Sequence, residues 1–316
     1  METCVEKLSS FALSSETSRR RCSTVEHILL IALVLISAIA YFSRLNRVVR
    51  QTDPMAYYYA GLQIAETGSP EFCDENNTLA GPYFTLLGLT ARRHDADPCF
   101  YPIYSIGLPL LIALTRLLIP VSEAVSYLMP MLALIGIVAL FALGQALFDR
   151  PTGLLAAGLL AFNFWYWYEA TEIWADVPAV AFLLIATTFA VRMGRLDQGN
   201  LLQGLLGGLA FGYACLIRYA SVIALLPLIL YFLYATKGQS KPKRALAGFV
   251  FGFGMLTLVL LIYNRLYYGG FLTTGYSTEH GWIPWEPFSL SYFWGQSPVD
   301  AESGYRAILY TLVENF

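Results

Sequence analysis

Seven apolar segments, each about as long as a membrane is thick, constrain this chain more than any other feature. They run from Val25 to Phe42, Val125 to Phe148, Pro151 to Trp167, Trp174 to Arg192, Leu201 to Ile217, Tyr219 to Tyr234 and Ala245 to Tyr263. About 20 apolar residues in helical conformation cross a hydrocarbon core, because a helix satisfies its own backbone hydrogen bonds there. Of the 316 residues, 57% are hydrophobic and 13% charged, where soluble domains carry roughly a quarter charged residues. The chain is therefore read as an all-α integral membrane protein, multi-pass, with about seven transmembrane helices. Twenty-one Tyr and six Trp suit long exposure to membrane–water interfaces. The net charge of -2 says nothing about nucleic acid, but no basic run interleaved with aromatics of the kind a nucleic-acid binder uses is present, so no nucleic-acid partner is expected.

Charge fixes the expected orientation. Arg19-Arg20-Arg21 precede the first span, and no small-residue cleavage site follows it closely, so it reads as a signal anchor with a cytoplasmic N-terminal tail, residues 1–25. Tyr101 to Pro120 is apolar but broken by Pro102, Gly107 and Pro109 and carries Arg116, so it reads as an interfacial or re-entrant helix. With that stretch not crossing, Arg150, then Arg192 and Arg195, then the Lys237–Arg244 cluster all fall inside. The domain reading is then a transmembrane domain over 26–263 with a long first outer loop at 43–124. A further outer loop covers 264–316 and holds the possible start of another helix, so the chain is expected to continue past Phe316.

That topology collects the unusual polar residues at the outer end. Asp53 lies in Gln51-Thr52-Asp53-Pro54-Met55-Ala56-Tyr57, where Thr52 is expected to cap a helix starting at Pro54 and to leave the carboxylate at its positive end. Glu169, Glu172 and Asp176 lie at the turn before the fourth span, among Trp165, Tyr166, Trp167, Tyr168 and Trp174. Asn264, Arg265, Tyr276 and His280 are expected just outside the seventh span. Arg218 interrupts two apolar stretches, with little room to snorkel, and a charge placed so is usually kept for a function or a partner. Plainer readings stand beside these: a helix cap for Asp53 and Asp176, headgroup-level solvation for Glu169 and Glu172.

Cys73 and Cys99 share the first outer loop with Asp95 and Asp97; a disulfide there would pin the loop, and two unpaired thiols are the equal alternative. Asn76-Asn77-Thr78 is a glycosylation sequon, a short and common pattern. His27, His94 and His280 lack metal-ligand spacing, and no GxGxxG, Walker or GxSxG pattern occurs.

The order of several stretches carries a resemblance. It runs from Thr52-Asp53-x-x-x-Tyr57 through Tyr101-Pro102-Ile103-x-x-x-Gly107-x-Pro109-Leu110, Leu143-Gly144-x-x-Leu147-Phe148 and Ala175-Asp176-Val177-Pro178. It ends with Cys215-Leu216-Ile217-Arg218-Tyr219 and Tyr263-Asn264-x-x-Tyr267-Tyr268-Gly269-Gly270. From about residue 26 to 280 the chain resembles the GT-C superfamily of membrane glycosyltransferases, in the family 39 and aminoarabinose-transferase-like branch. The resemblance implies a sugar donor carried on a polyprenyl phosphate, an acceptor that is a lipid, a glycan or a protein, and transfer on the extracytoplasmic side as part of cell-envelope glycosylation. It places Asp53 as the catalytic carboxylate, Asp176 as a second, and Arg218 at the donor phosphate. Tyr57, Glu169, Glu172, Asn264 and Tyr276 are the expected substrate contacts. A divalent metal on Asp53 and Asp176 is a further expectation. Pro54, Phe100 and Tyr101 depart from it, because relatives carry an acidic residue or a Glu-Lys pair at those positions. Two other readings are a transporter or flippase of lipid-linked sugars, which would bind without bond cleavage, and a structural membrane subunit. No second copy of the 53–120 pattern is present, where transporters often carry internal repeats.

Overall fold

A computed structural model describes residues 24–46, 49, 51–76, 90–91, 98–121, 123–195, 200–235 and 243–275. Tyr276, His280, His94, Asp95, Asp97, the sequon's Asn77 and Thr78, and most of the 236–244 basic loop lie outside these residues. The protein is an all-α membrane protein with one small sheet in its first long loop.

The helices are α1 Thr24–Ser43, α2 Thr52–Thr67, α3 Gly107–Leu118, α4 Ala124–Leu147, α5 Arg150–Ala161, α6 Phe164–Ala170, α7 Asp176–Arg195, α8 Leu201–Ile217, α9 Leu225–Ala235 and α10 Lys243–Tyr268. Among the described residues, four helices are long and apolar enough to cross a membrane unaided: α1, α4, α7 and α10. The remaining apolar segments are shorter or interrupted. The Pro151–Trp167 stretch is two helices, because the Asn163 side chain accepts the Tyr166 N–H and starts a new helix after the chain turns at Phe162. The Leu201–Tyr234 pair breaks at Arg218, as the sequence suggests, and resumes through a 3₁₀ turn, Tyr219–Ala224.

Three boundaries differ from expectation. α2 begins at Thr52, not Pro54; Gln51 is the residue before it and supplies no side-chain cap. Pro54 still fits, since its missing N–H falls among the first-turn groups that have no helical partner. Tyr101-Pro102 is not helical: it ends β3 Cys99–Pro102, which lies between β1 Phe72–Cys73 and β2 Thr90–Ala91, antiparallel to both. Only Gly107–Leu118 of the Tyr101–Pro120 stretch is helix, and its 12 residues rise about 18 Å, short of a roughly 30 Å hydrocarbon core. α10 continues past Tyr263 to Tyr268, so Asn264 sits inside a helix rather than in the loop beyond it.

Small residues decide the tightest helix contact. Gly204, Gly208 and Gly212 recur every fourth residue on α8 and face Ala245, Phe249 and Leu256 of α10, while Gly248 and Gly252 face Leu201 and Leu205. Both sets advance in the same direction, so α8 and α10 run parallel. A Cβ on Gly208 would overlap the Phe249 carbonyl, and one on Gly252 would lie 2.5 Å from the Leu205 carbonyl oxygen. In lipid, where no hydrophobic force separates helix from solvent, such close backbone packing supplies the association. Arg150 meets Glu26 at 3.7 Å where α1 starts. That end of the bundle also holds the start of α10, with Lys243 and Arg244, and the end of α7, with Arg192. The N-termini of α2 and α7 and the C-terminus of α8 collect at the opposite end.

Candidate functional site

Three helix ends build this second face. α7 starts at Asp176, in the first turn where the helix dipole favours a carboxylate. α8 ends at Ile217, and Arg218 takes extended backbone, φ -140° and ψ 119°, before the 3₁₀ turn. This break turns the guanidinium out of the apolar stretch and onto Asp176: Arg218 Nη1 donates to Asp176 Oδ1. The two side chains are 48% and 33% exposed, so the pair stands at an accessible surface and not in the core.

Glu169, near the C-terminal end of α6, feels the same arginine. Burial pushes its carboxyl above the ordinary range, and the Arg218 charge pulls partly back. Glu172 is engaged by the protein on both oxygens. Asn46 Nδ2 donates to Oε1 at 3.2 Å and the Trp174 indole N–H to Oε2 at 3.3 Å. With the Asn46 N–H bonded to the Thr171 carbonyl at 3.2 Å, Glu172 ties the chain leaving α1 to the α6–α7 turn.

Asp53 occupies the first turn of α2. The Tyr104 hydroxyl donates to its Oδ1 at 2.7 Å. Tyr57, one turn further along α2, is 4% exposed and packs its ring on Tyr104 with centroids 5.0 Å apart. Gln51, just before α2, donates to the Tyr168 hydroxyl, linking this helix end to α6. Tyr57 is thus a core residue behind Asp53.

One buried cluster joins these parts. Tyr57, Leu108, Ile112, Val125, Met129, Ile173, Ala175, Ala179 and Ile217 pack together, with Tyr104 against them. Ala175 precedes Asp176 and Ile217 precedes Arg218, so the packing that seats Asp53's helix also seats both members of the ion pair. Gly107 permits this closeness: a Cβ there would lie 2.5 Å from the Ile217 nitrogen, and the Tyr213 hydroxyl donates to the Gly107 carbonyl at 2.9 Å. Asn264 is 3% exposed and donates to the Phe271 carbonyl at 3.2 Å, holding the turn after α10. That turn rests on the Tyr104 segment from the other side, with Tyr268 donating to the Pro102 carbonyl and Gly275 packed on Ile103.

Cys73 and Cys99 form a disulfide that joins directly opposed residues of β1 and β3. Of the two readings open in the sequence, this is the one the structure takes.

Among the described residues, the two carboxylates expected to hold a divalent metal already have protein partners. Asp53 is met by a phenol and Asp176 by a guanidinium. The one group of three close His, Cys, Asp or Glu donors among the described residues is Glu71, Cys73 and Cys99, whose cysteines are spent in the disulfide. A divalent cation could still be held by one or two carboxylates together with the donor phosphate, and no step below is routed through it.

Sequence reasoning missed Tyr104 and Gln51. Tyr104 stands at an unassigned position between Pro102 and Gly107, and no spacing rule links it to a carboxylate fifty-one residues earlier.

No curated protein matches the chain. A family model does: dolichyl-phosphate-mannose-protein mannosyltransferase, over residues 104–263. The matched stretch begins at Tyr104, contains Glu169, Glu172, Asp176 and Arg218, and stops one residue before Asn264; Asp53 precedes it. It covers half of the 316 residues and includes the two helix ends that carry the ion pair. The chain belongs to this family of GT-C membrane glycosyltransferases, which draw on sugars carried by a polyprenyl phosphate.

Proposed function

We propose that the protein transfers a sugar from a polyprenyl-phosphate donor to an acceptor hydroxyl on the extracytoplasmic side of the membrane, with inversion at the anomeric carbon. Within the GT-C superfamily, the quoted stretches favour the family 39 and aminoarabinose-transferase-like branch. The observation that carries the reading is the placement of Asp53 and the Asp176–Arg218 pair on elements seated by one buried cluster.

In the proposed step, the acceptor oxygen attacks the anomeric carbon and gives its proton to the Asp53 carboxylate. The bond from that carbon to the phosphate oxygen breaks, and polyprenyl phosphate leaves with the electron pair. Arg218 carries five N–H donors, of which Nη1 meets Asp176. Its fork suits a phosphate, to which it can donate two charge-assisted hydrogen bonds. Asp176 holds the guanidinium at the helix break; Glu169 and Glu172 line the turn beside it. Asn264 holds the turn that leads toward Tyr276, and aromatic residues of α6 offer faces on which sugars pack. The acceptor class is a lipid, a glycan or a protein.

The test is Asp53→Asn, nearly isosteric and unable to take the proton. We expect transfer to fall at least about a hundredfold, the lower end of what a general base supplies, while the variant still inserts and binds donor. A normal rate in a clean preparation removes Asp53 as the base. Release of free polyprenyl phosphate from a labelled donor separates transfer from transport of an intact lipid-linked sugar.

A further inference from the structure

We propose that Tyr104 is the positioning residue for Asp53, acting on transfer through the orientation of that carboxylate. The inference rests on Asp53 being the base.

A carboxylate on the first turn of a helix can swing through several rotamers, and only some aim an oxygen at the acceptor. The Tyr104 hydroxyl, 2.7 Å from Oδ1, restricts this freedom. A phenol does so well because its oxygen sits at the end of a rigid ring, and the ring itself is held. Its face packs on Tyr57 at 5.0 Å and 49°. Tyr57 belongs to the same helix as Asp53, so helix, ring and carboxylate form one closed unit.

The backbone of Tyr104 is fixed on both sides. Before it, Tyr101 is 6% exposed and the Pro102 carbonyl accepts from Tyr268. After it, Ser105, Ile106 and Leu108 are 4%, 4% and 0% exposed. Tyr104 therefore links α2 to the packing that holds Ile217 and, through it, Arg218. A rotation of the Asp53 carboxylate breaks its bond to a hydroxyl that cannot follow. Groups that must be held to within a fraction of an ångström are held in this way, by neighbours that are themselves packed.

Tyr104→Phe tests the role, since it keeps the ring and its packing and removes one oxygen. Polyprenyl phosphate release is measured over a range of donor concentrations, together with donor binding and melting temperature. We expect kcat to fall about tenfold or more, the scale of a small misplacement of a reacting group. Donor KM should stay within about twofold and the melting temperature within about 2 °C, since the lost hydroxyl makes one part-buried hydrogen bond. Unchanged kcat overturns the proposal. So does an equal loss of donor binding, folded yield and rate, which marks Tyr104 as structural only. Asp53→Asn is run in parallel. If it turns over normally, the base assignment has failed; if it is inactive while Tyr104→Phe is normal, only the positioning role has failed.

Discussion

Replacing Arg218 with alanine should separate function from folding by a wide margin, and the structure sets both magnitudes. The Arg218–Asp176 pair is 48% and 33% exposed, and exposed ion pairs contribute about 0–1 kcal/mol. Arg218→Ala should therefore cost less than about 1 kcal/mol of stability, and the α8 break should survive, because Arg218 contributes backbone there and its N–H already bonds the Ala214 carbonyl at 2.9 Å. The functional loss should be larger. Two charge-assisted hydrogen bonds to a departing phosphate, at about 1.5–3 kcal/mol each, sum to about 3–6 kcal/mol. At about 1.4 kcal/mol per tenfold, kcat/KM should fall by about two to four orders of magnitude. Arg218→Lys keeps the charge and loses the fork, so it should fall between. The assay uses purified protein and a donor labelled in sugar and phosphate, following both products, with thermal melting on the same sample. An Arg218→Ala variant that melts like the parent and keeps kcat/KM within about threefold refutes the reasoning, because no group worth only about 0.7 kcal/mol is holding the leaving phosphate.

Glu169 predicts a pH dependence of stability. Its carboxyl is raised above the ordinary 4.5 by burial, with Arg218 pulling partly back. The folded state therefore binds the proton more tightly, and stability falls as pH rises from 4.5 through the raised value. Glu169→Gln should flatten that slope in melting curves taken across mildly acid pH. Arg218→Ala should extend it upward. Reduction of the Cys73–Cys99 bridge, with its 26-residue separation, should destabilise the first long loop by about 3.5 kcal/mol in the chain-entropy account, read as faster proteolysis of the loop and a lower melting temperature. Gly208→Val should push α8 off the Phe249 carbonyl and reduce folded yield, an overpacking cost of about 1–3 kcal/mol or more. Gly158→Ala, in open space on α5, should instead gain about 0.5–1 kcal/mol, because alanine replaces glycine inside a helix.

Much of the architecture was legible in the residues because burial in lipid is a one-dimensional demand. A run such as Val125–Phe148 must be helical and must be about that long, and α4 occupies nearly those residues. Arg218 was equally legible, because a cation between two apolar stretches forces either a break or a partner. The structure supplies both, an extended residue and Asp176. The first long loop was not legible in this way. Its geometry depends on pairings between residues far apart in sequence, such as β3 with β1 and β2. The sequence left Cys73 and Cys99 as two equal readings for the same reason.

The sequence by itself determined the membrane class, the succession of apolar segments, the break at Arg218 and the clustering of acidic residues toward one end. Those follow from local composition and from the cost of a charge in hydrocarbon. Tertiary structure decided which polar groups meet. It buried Tyr57, an expected substrate contact, against the ring of Tyr104. It gave Glu172 two protein partners, drew Asn264 into α10, and placed on Asp53 a hydroxyl from residue 104. The physical reason is that a hydrogen bond across fifty residues depends on helix ends docking within ångströms of one another. Here that docking is set by side-chain volume in a shared core and by glycines that let Gly107 touch Ile217 and α8 touch α10.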